Sequence, residues 1–466
     1  MRGIIILLFS FFCTFQATGQ TKKVCIKSIV IEGNKKTKAS TILNELTFSV
    51  GDSLLLKDLM PAMELNERYV MNTWLFTMVR MNVAQWKGAD VDIKIAVKES
   101  WYIYPIPVFE LADRNFSVWS KRYKNDIRRT NIGLWLIWRN ISGRNDLLKA
   151  IAQFGFTQKY EVDYALPPLD RRKKLGFAIN LLYSDNKETS YNTINNKLVF
   201  YRNIDTKDRQ HQRVRARLRL LYRSSIVARH EFESSFLFLQ VSDTLRRMNP
   251  EYFLHGQRVQ RSINLRYVYE RDQRDIWAYP LSGYWTRIEL RKRGLGIFKD
   301  LNQFNLIAAL SYHIPLADRF SASFFMKGQI DLIRNKTPYY NQRALGYEEN
   351  FVRGYEYYVI NGQDYLLMKG ELNIKLFDFK IPLFKRIQIE YLRRMPIKIH
   401  LRTFFDFGYV WDRYYTDQNA LTNTDMIGTG LGLDLVFYYY NIILRFDYSF
   451  NKLGEHGFYF SYKFNF

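Results

Sequence analysis

The sequence predicts an all-β transmembrane barrel of about sixteen antiparallel strands, preceded by one small α+β domain. Three observations carry that reading. From Trp101 to Phe466, apolar and polar residues alternate with period two in segments of roughly ten residues, the length a tilted strand needs to cross a bilayer. Aromatic residues make up 17% of the chain, 35 Phe, 33 Tyr and 9 Trp among them. Beyond the N-terminus no uncharged apolar run reaches the ~18 residues of a membrane helix, so spanning falls to strands.

Residues 1–19 have the form of an export signal. Arg2 is the positive end, Ile4–Phe12 the apolar stretch, and Ala17-Thr18-Gly19 a small-x-small cleavage site before Gln20. Cys13 follows bulky Phe12 where a lipidation site would have a small residue. Cleavage after Gly19 leaves Cys25 in a strand-like segment. Two cysteines cannot build a disulfide framework or a cysteine-rich zinc site.

Residues 24–100 have the rhythm of a compact β-α-α-β-β domain. Val24–Ile31 is β-rich and ends at Glu32-Gly33-Asn34. Thr41–Leu46 and Lys57–Thr73 carry helical spacing, with Ile42, Leu43 and Leu46 on one face and Leu59, Met63, Tyr69 and Val70 on another. Gly51-Asp52 separates the two helices, and Thr77–Ala84 and Val91–Val97 follow as strands.

The barrel region, residues 101–466, is read from parity. Val214, Ala216, Leu218 and Leu220 alternate with Arg213, Arg215, Arg217 and Arg219. Ile399, Leu401, Phe405 and Phe407 oppose His400, Arg402, Asp406 and Gly408. One parity suits lipid and the other a polar lumen, and the sheet must close because hydrocarbon cannot solvate a strand edge. About seventeen candidate strands follow Trp101, one too many for an even-numbered barrel, and the excess is assigned to an external hairpin at Asn196–Asn203. In the last strand Phe458, Phe460, Tyr462, Phe464 and Phe466 share one face, as a lipid-facing strand with interfacial girdles requires. A soluble multi-sheet protein would instead leave these rows of rings in water.

Particular motifs add a resemblance. Gly33-Asn34-Lys35-Lys36-Thr37, Gly51-Asp52 and Leu75-Phe76 sit where POTRA domains carry turns and helix ends. Arg271-Asp272-Gln273-Arg274-Asp275, leading through Pro280 to Gly283, is similar to the hairpin after the eighth strand of POTRA-bearing barrels. Val352-Arg353-Gly354-Tyr355 resembles the tip of their sixth external loop, and Phe405-Asp406-Phe407-Gly408 the strand motif that receives it. The chain thus resembles the BamA/TamA-like POTRA–barrel superfamily, the bacterial surface antigen family, over about residues 24–466.

On Tyr365–Leu376, Leu366, Met368, Leu372, Ile374 and Leu376 share one face and Glu371 lies on the other. Asp406 likewise lies on the polar face of its strand. Two carboxylates thus point into the lumen, and a guanidinium fork can bridge them. The resemblance implies that the loop folds back inside, with Arg353 docking on Asp406 and Glu371 beside Gly408, while Gly354 allows a tight turn at the tip.

No enzyme signature stands out. The six His show no metal-ligand spacing, and neither a nucleophile elbow nor a phosphate-binding loop occurs. Gly428, Gly430 and Gly432 alternate within a strand, as close packing at an inner wall requires. No cofactor or metal is expected. The Arg213/Arg215/Arg217/Arg219 stripe reads as a lumen wall balanced by Glu161, Asp163, Glu231 and Glu233, or alternatively as an electropositive interior attracting acidic segments or lipopolysaccharide phosphates. The net charge of +24 does not point to nucleic acid in an exported barrel.

The resemblance implies an outer-membrane assembly factor with its POTRA in the periplasm. Its partners would be unfolded outer-membrane or secreted client proteins, outer-membrane lipid, and periplasmic or lipoprotein accessory subunits. The POTRA would add clients to a strand edge, and the barrel would open between its first strand, about Tyr102–Glu110, and its last, Gly457–Phe466. A partner-specific secretion pore and an accessory barrel of a larger complex remain alternatives.

Overall fold

A computed structural model describes residues 22–111, 119–120, 124–166, 174–201, 209–381, 395–437 and 442–464. The export signal read at residues 1–19, residues 202–203 at the end of the hairpin assigned to Asn196–Asn203, and Phe466 fall outside these residues. Four strands and two helices form the small domain. Lys23–Glu32 pairs parallel with Asp90–Glu99, which pairs antiparallel with Phe76–Lys87. The helices Ala39–Leu43 and Leu56–Met71 contribute Ile42, Leu59, Met63 and Val70 to a core that also holds Ile26, Ile93 and Ile95. Alternation in Asp90–Glu99 puts Val91, Ile93, Ile95 and Val97 in that core.

Two details depart from the sequence reading and a third adds to it. A short strand, Ser53–Leu55, pairs with Lys23–Cys25, so the order is β-α-β-α-β-β; three residues are too few for periodicity to register. Leu43 is exposed, because its helix is a single turn. Asn66 is fully buried in the second helix, where its side chain donates to the Thr47 hydroxyl and the Ala62 carbonyl.

Sixteen antiparallel strands follow in one sheet, each hydrogen-bonded to its neighbours in chain order from Ile103–Leu111 to His456–Phe464. Leu218 and Phe232 are exposed on the outer face, while Gln303, Asn305 and Asp406 are buried on the inner one. Phe458, Phe460 and Tyr462 of the last strand are also exposed outward. On Asp364–Ile381 the parity slips at a bulge between Lys375 and Phe377, so that Leu376 and Phe377 are both exposed.

The surplus strand proves to be two short ones. Ser190–Ile194 and Lys197–Phe200 pair as a hairpin about Asn195-Asn196, both with positive φ (52° and 56°), a conformation asparagine tolerates. This external hairpin interlocks with other outer loops. The Asn196 amide donates to Asn419 Oδ1 (2.8 Å), its Oδ1 accepts from the Leu421 amide (2.9 Å), and its carbonyl accepts from the Val359 amide (2.8 Å). Tyr252, Phe253 and Tyr339 join Leu239, Val241 and Leu245 in an apolar cluster beside it.

The small domain is fastened to the opposite end. Arg223, closing the sixth barrel strand (His211–Arg223), grips Glu45 with two bonds of 2.6 and 2.7 Å. Asn140 donates to Thr37 Oγ1 (2.9 Å), which also bonds the Tyr102 hydroxyl (2.8 Å), and the Gly143 carbonyl accepts from the Lys38 amide. Burial pushes the Tyr102 phenol up to about 12, so it stays protonated in this joint. Burial alone would raise the Glu99 carboxyl, yet bonds from Thr37 and from the Lys36 amide hold it below its usual value. A depressed carboxyl adds stability above its unfolded pKa, near 4.5, and that contribution disappears as pH falls through the folded value. The tryptophan-fluorescence unfolding midpoint of the small domain should therefore drop with acidification, and Glu99→Gln should flatten the drop. An unchanged pH profile in the variant would count against this joint.

Candidate functional site: an arginine-tipped loop inside the barrel

Residues 332–363 join the eleventh strand, Phe320–Asp331, to the twelfth, Asp364–Ile381. This long loop pairs with itself at Arg343–Leu345 and Ile360–Asn361, which sends its tip into the lumen. Around the tip, Val352 and Tyr355 pack with Leu345, Ile360, Leu367 and Met426.

Arg353 ends in a ring of acceptors. Its Nε and Nη2 donate to the two oxygens of Asp406 at 2.8 and 2.5 Å, and its backbone amide donates to Asp406 Oδ2 at 3.0 Å. Nη1 donates to Glu371 Oε1 at 2.5 Å. The guanidinium carbon stands 3.9 Å from the Phe404 ring centroid. Asp406 and Phe404 lie on the thirteenth strand, Met395–Trp411, where i and i+2 share a face. Glu371 is on the neighbouring strand, which brings both carboxylates to one guanidinium.

Asp406 is completely buried and Arg353 is 4% exposed. Charges so buried hold together only when paired and fully bonded, and removing one partner of such a pair costs about 3–5 kcal/mol. Two glycines make room for the tip. A side chain at Gly408 would collide with Val352, and one at Gly428 would overlap the Arg353 carbonyl oxygen. Gly354 sits at φ +91°, facing the Phe450 carbonyl, and Asn451 Nδ2 donates to the Gly354 carbonyl at 2.8 Å. Tyr357 packs on Tyr459 of the last strand, and the Tyr358 hydroxyl donates to Glu455, so the loop also touches the final hairpin.

A second guanidinium extends the network. Arg402 is wholly buried. It donates to Glu371 Oε1 (2.9 Å), Asp434 Oδ1 (3.1 Å) and Asp447 Oδ1 (2.6 Å), and its guanidinium carbon stands 5.5 Å from the Phe404 ring centroid. Sequence reasoning did not select Arg402, Asp434 or Asp447, although Arg402 shares the parity of Asp406 four residues on. Its partners lie on the fourteenth strand, Met426–Phe437, and the fifteenth, Ile442–Asn451, and the sheet register brings them beside it.

The basic stripe is distributed among carboxylates. Arg215 pairs with Glu161 (2.9 Å), Arg219 with Asp163 (2.6 Å) and Arg217 with Glu233 (3.4 Å). Glu231 pairs with Arg266 instead. Arg213 departs from the expected balance: it has no ion pair among the described residues, and it lies opposite Ser184 and Leu239 on the neighbouring strands.

The architecture so described, a POTRA-like domain fastened beneath a sixteen-stranded barrel with an arginine-tipped loop inside, defines a class of outer-membrane barrels. Residues 140–466 match the Omp85 superfamily domain, and residues 24–100 match POTRA, the surface antigen variable number repeat. The chain belongs to the Omp85 superfamily. It is an outer-membrane barrel with its POTRA in the periplasm. In fold it is similar to BamA from Haemophilus ducreyi lacking POTRA domains 1–3 (14% identity, TM-score 0.53, covering 94% of this chain and 85% of that one). It is also similar to CdiB from Escherichia coli (12%, 0.56, 95% and 76%) and CdiB from Acinetobacter baumannii (14%, 0.53, 95% and 73%). Comparison with curated protein sequences gives no significant match.

Two substitutions probe the tip. Arg353→Ala should lower the temperature at which the compact, heat-modifiable species is lost on gels, and Arg353→Lys should restore little of that stability, since an ammonium lacks the fork. A wild-type loss temperature in both variants would show that the tip contributes nothing to barrel stability. Gly428→Ala should weaken the barrel by about 1–3 kcal/mol through steric displacement alone, with every charge in place. A denaturation midpoint equal to wild type would contradict the packing described for Gly428.

Proposed function

We propose that this protein assists the insertion or translocation of client polypeptides at the outer membrane, receiving them on its POTRA and passing them through a lateral seam in the barrel. The carrying observation is the seam. Among the described residues no backbone pairing joins the first strand, Ile103–Leu111, to the last, His456–Phe464, although every other neighbouring pair in the sheet is bonded. The interlocked outer loops stand over one mouth of the barrel and the docked tip fills part of the lumen. Unpaired edges in hydrocarbon are costly, which makes the seam the place where a client strand gains most by pairing.

The POTRA offers a complementary edge. Phe76–Lys87 ends the small sheet, with Met78 and Trp86 exposed along it. Adding an extended client there uses backbone hydrogen bonds that tolerate sequence variation, with side-chain contacts as a secondary filter. Nothing in this cycle requires a covalent step, and we read the protein as non-enzymatic. Periplasmic or lipoprotein subunits and lipopolysaccharide are proposed as further partners. A second reading, a secretion pore for a dedicated partner, fits the same barrel architecture.

Proteoliposomes separate these readings. Accelerated folding of a test barrel, lost when a disulfide joins the first strand to the last and regained on reduction, supports insertion at the seam. Ion conductance with release of a client across the bilayer, unaffected by that disulfide, supports the pore. Neither activity would leave an accessory barrel and overturn the proposal.

A further inference from the structure

The hairpin between the eighth strand, Val259–Asp272, and the ninth, Gly283–Arg293, does not stay beneath its own strands. Its Tyr279 reaches strands several positions further round the barrel. There its hydroxyl donates to Asp434 Oδ2 at 3.0 Å, its ring lies 4.8 Å from His400, and it packs with Leu281 against Val436 and Ile443. Those contacts belong to the thirteenth, fourteenth and fifteenth strands. Tyr279 is 5% exposed.

The hairpin is built to hold this excursion. Arg274 clasps Asp272 (2.6 Å), and the Asp275 carboxylate accepts from the Leu281 and Ser282 amides. Gly283 closes it at φ +94°, where a side chain would strike the Gln273 carbonyl. Two residues before Tyr279, Trp277 meets Trp74 of the POTRA edge to face, with ring centroids 5.5 Å apart. Trp74 itself has positive φ (66°), and the Arg139 guanidinium lies over its ring, 5.9 Å from the centroid.

We infer that this hairpin is a positioning element that couples the seating of the POTRA to the grip on the loop tip. The contacts run without a break. Trp74 bears on Trp277, and Tyr279 holds one oxygen of Asp434 while Arg402 holds the other. Arg402 and Arg353 then share Glu371 Oε1. Freed of the tyrosine, Asp434 could rotate toward Arg445, whose Nε is 3.6 Å from Oδ2, and Arg402 would lose a fixed acceptor. Glu371 would then be shared on different terms by the two guanidiniums. The hairpin thus acts on Arg353 through Asp434 and Arg402 and not by touching it. The inference holds whether the barrel inserts or secretes clients.

Hydrogen exchange on the full chain in detergent micelles tests it. Tyr279→Phe keeps the ring and removes only the hydroxyl, so it should speed exchange of the 352–355 amides about tenfold while leaving His211–Arg223 and heat-modifiability unchanged. Trp74→Ala should act in the same direction. Coupling in equilibrium is reciprocal, so Asp406→Asn, which weakens the grip on the tip, should in turn speed exchange of the Gln273 and Asp275 amides. Unchanged tip exchange in Tyr279→Phe, or a uniform rise over the whole barrel, would overturn the inference.

Discussion

A guanidinium held inside a membrane barrel, at 4% exposure, by two carboxylates and a phenyl face is the constraint on which the rest depends. Water would solvate Arg353 at little cost in an external loop. Inside, its charge must be matched, and matching it fixes Asp406 and Glu371 on adjacent strands and Gly408 and Gly428 beside the tip. Arg402 then answers the surplus of acid, drawing in Asp434 and Asp447 from the next two strands. Four consecutive strands, the twelfth to the fifteenth, are thereby tied at one level of the lumen.

The strands tied in this way lead to the seam between the first and last strands, which are unpaired among the described residues. The loop that carries Arg353 touches Asn451 and Glu455 of the final hairpin and Tyr459 of the last strand. The first strand has a different attachment, through Tyr102 and the Asn140 turn to the POTRA. Each edge of the seam is therefore anchored by a separate set of contacts, one in the lumen and one at the periplasmic face. In the cycle proposed above, such an arrangement would let the edges part without unravelling either side, because the ladder bonds within each half are kept.

Much of this was legible in the sequence because strand parity is strict. Alternation at Val214–Arg219 and Ile399–Gly408 separates lipid from lumen without any structure, and the Val352–Tyr355 motif marks the tip. What stayed hidden was long-range. Asp434 and Asp447 become partners of Arg402 only through a register that pairs Arg402 with Gly432 and Gly432 with Asp447. Tyr279 reads as an ordinary turn residue, since nothing local indicates that it reaches strands over a hundred positions away. The Ser53–Leu55 strand is too short for a period, and the paired Asn195-Asn196 turn was the one signal that could have divided the external hairpin correctly.

The central claim is that Arg353 and Asp406 are energetically one unit within the lumen. A double-mutant cycle on Arg353→Ala and Asp406→Asn, read as the heat-induced loss of the compact species in detergent, measures it directly. The account predicts that the double variant is much less impaired than the sum of the singles, because each single leaves a buried group without its partner. Strictly additive losses would contradict it.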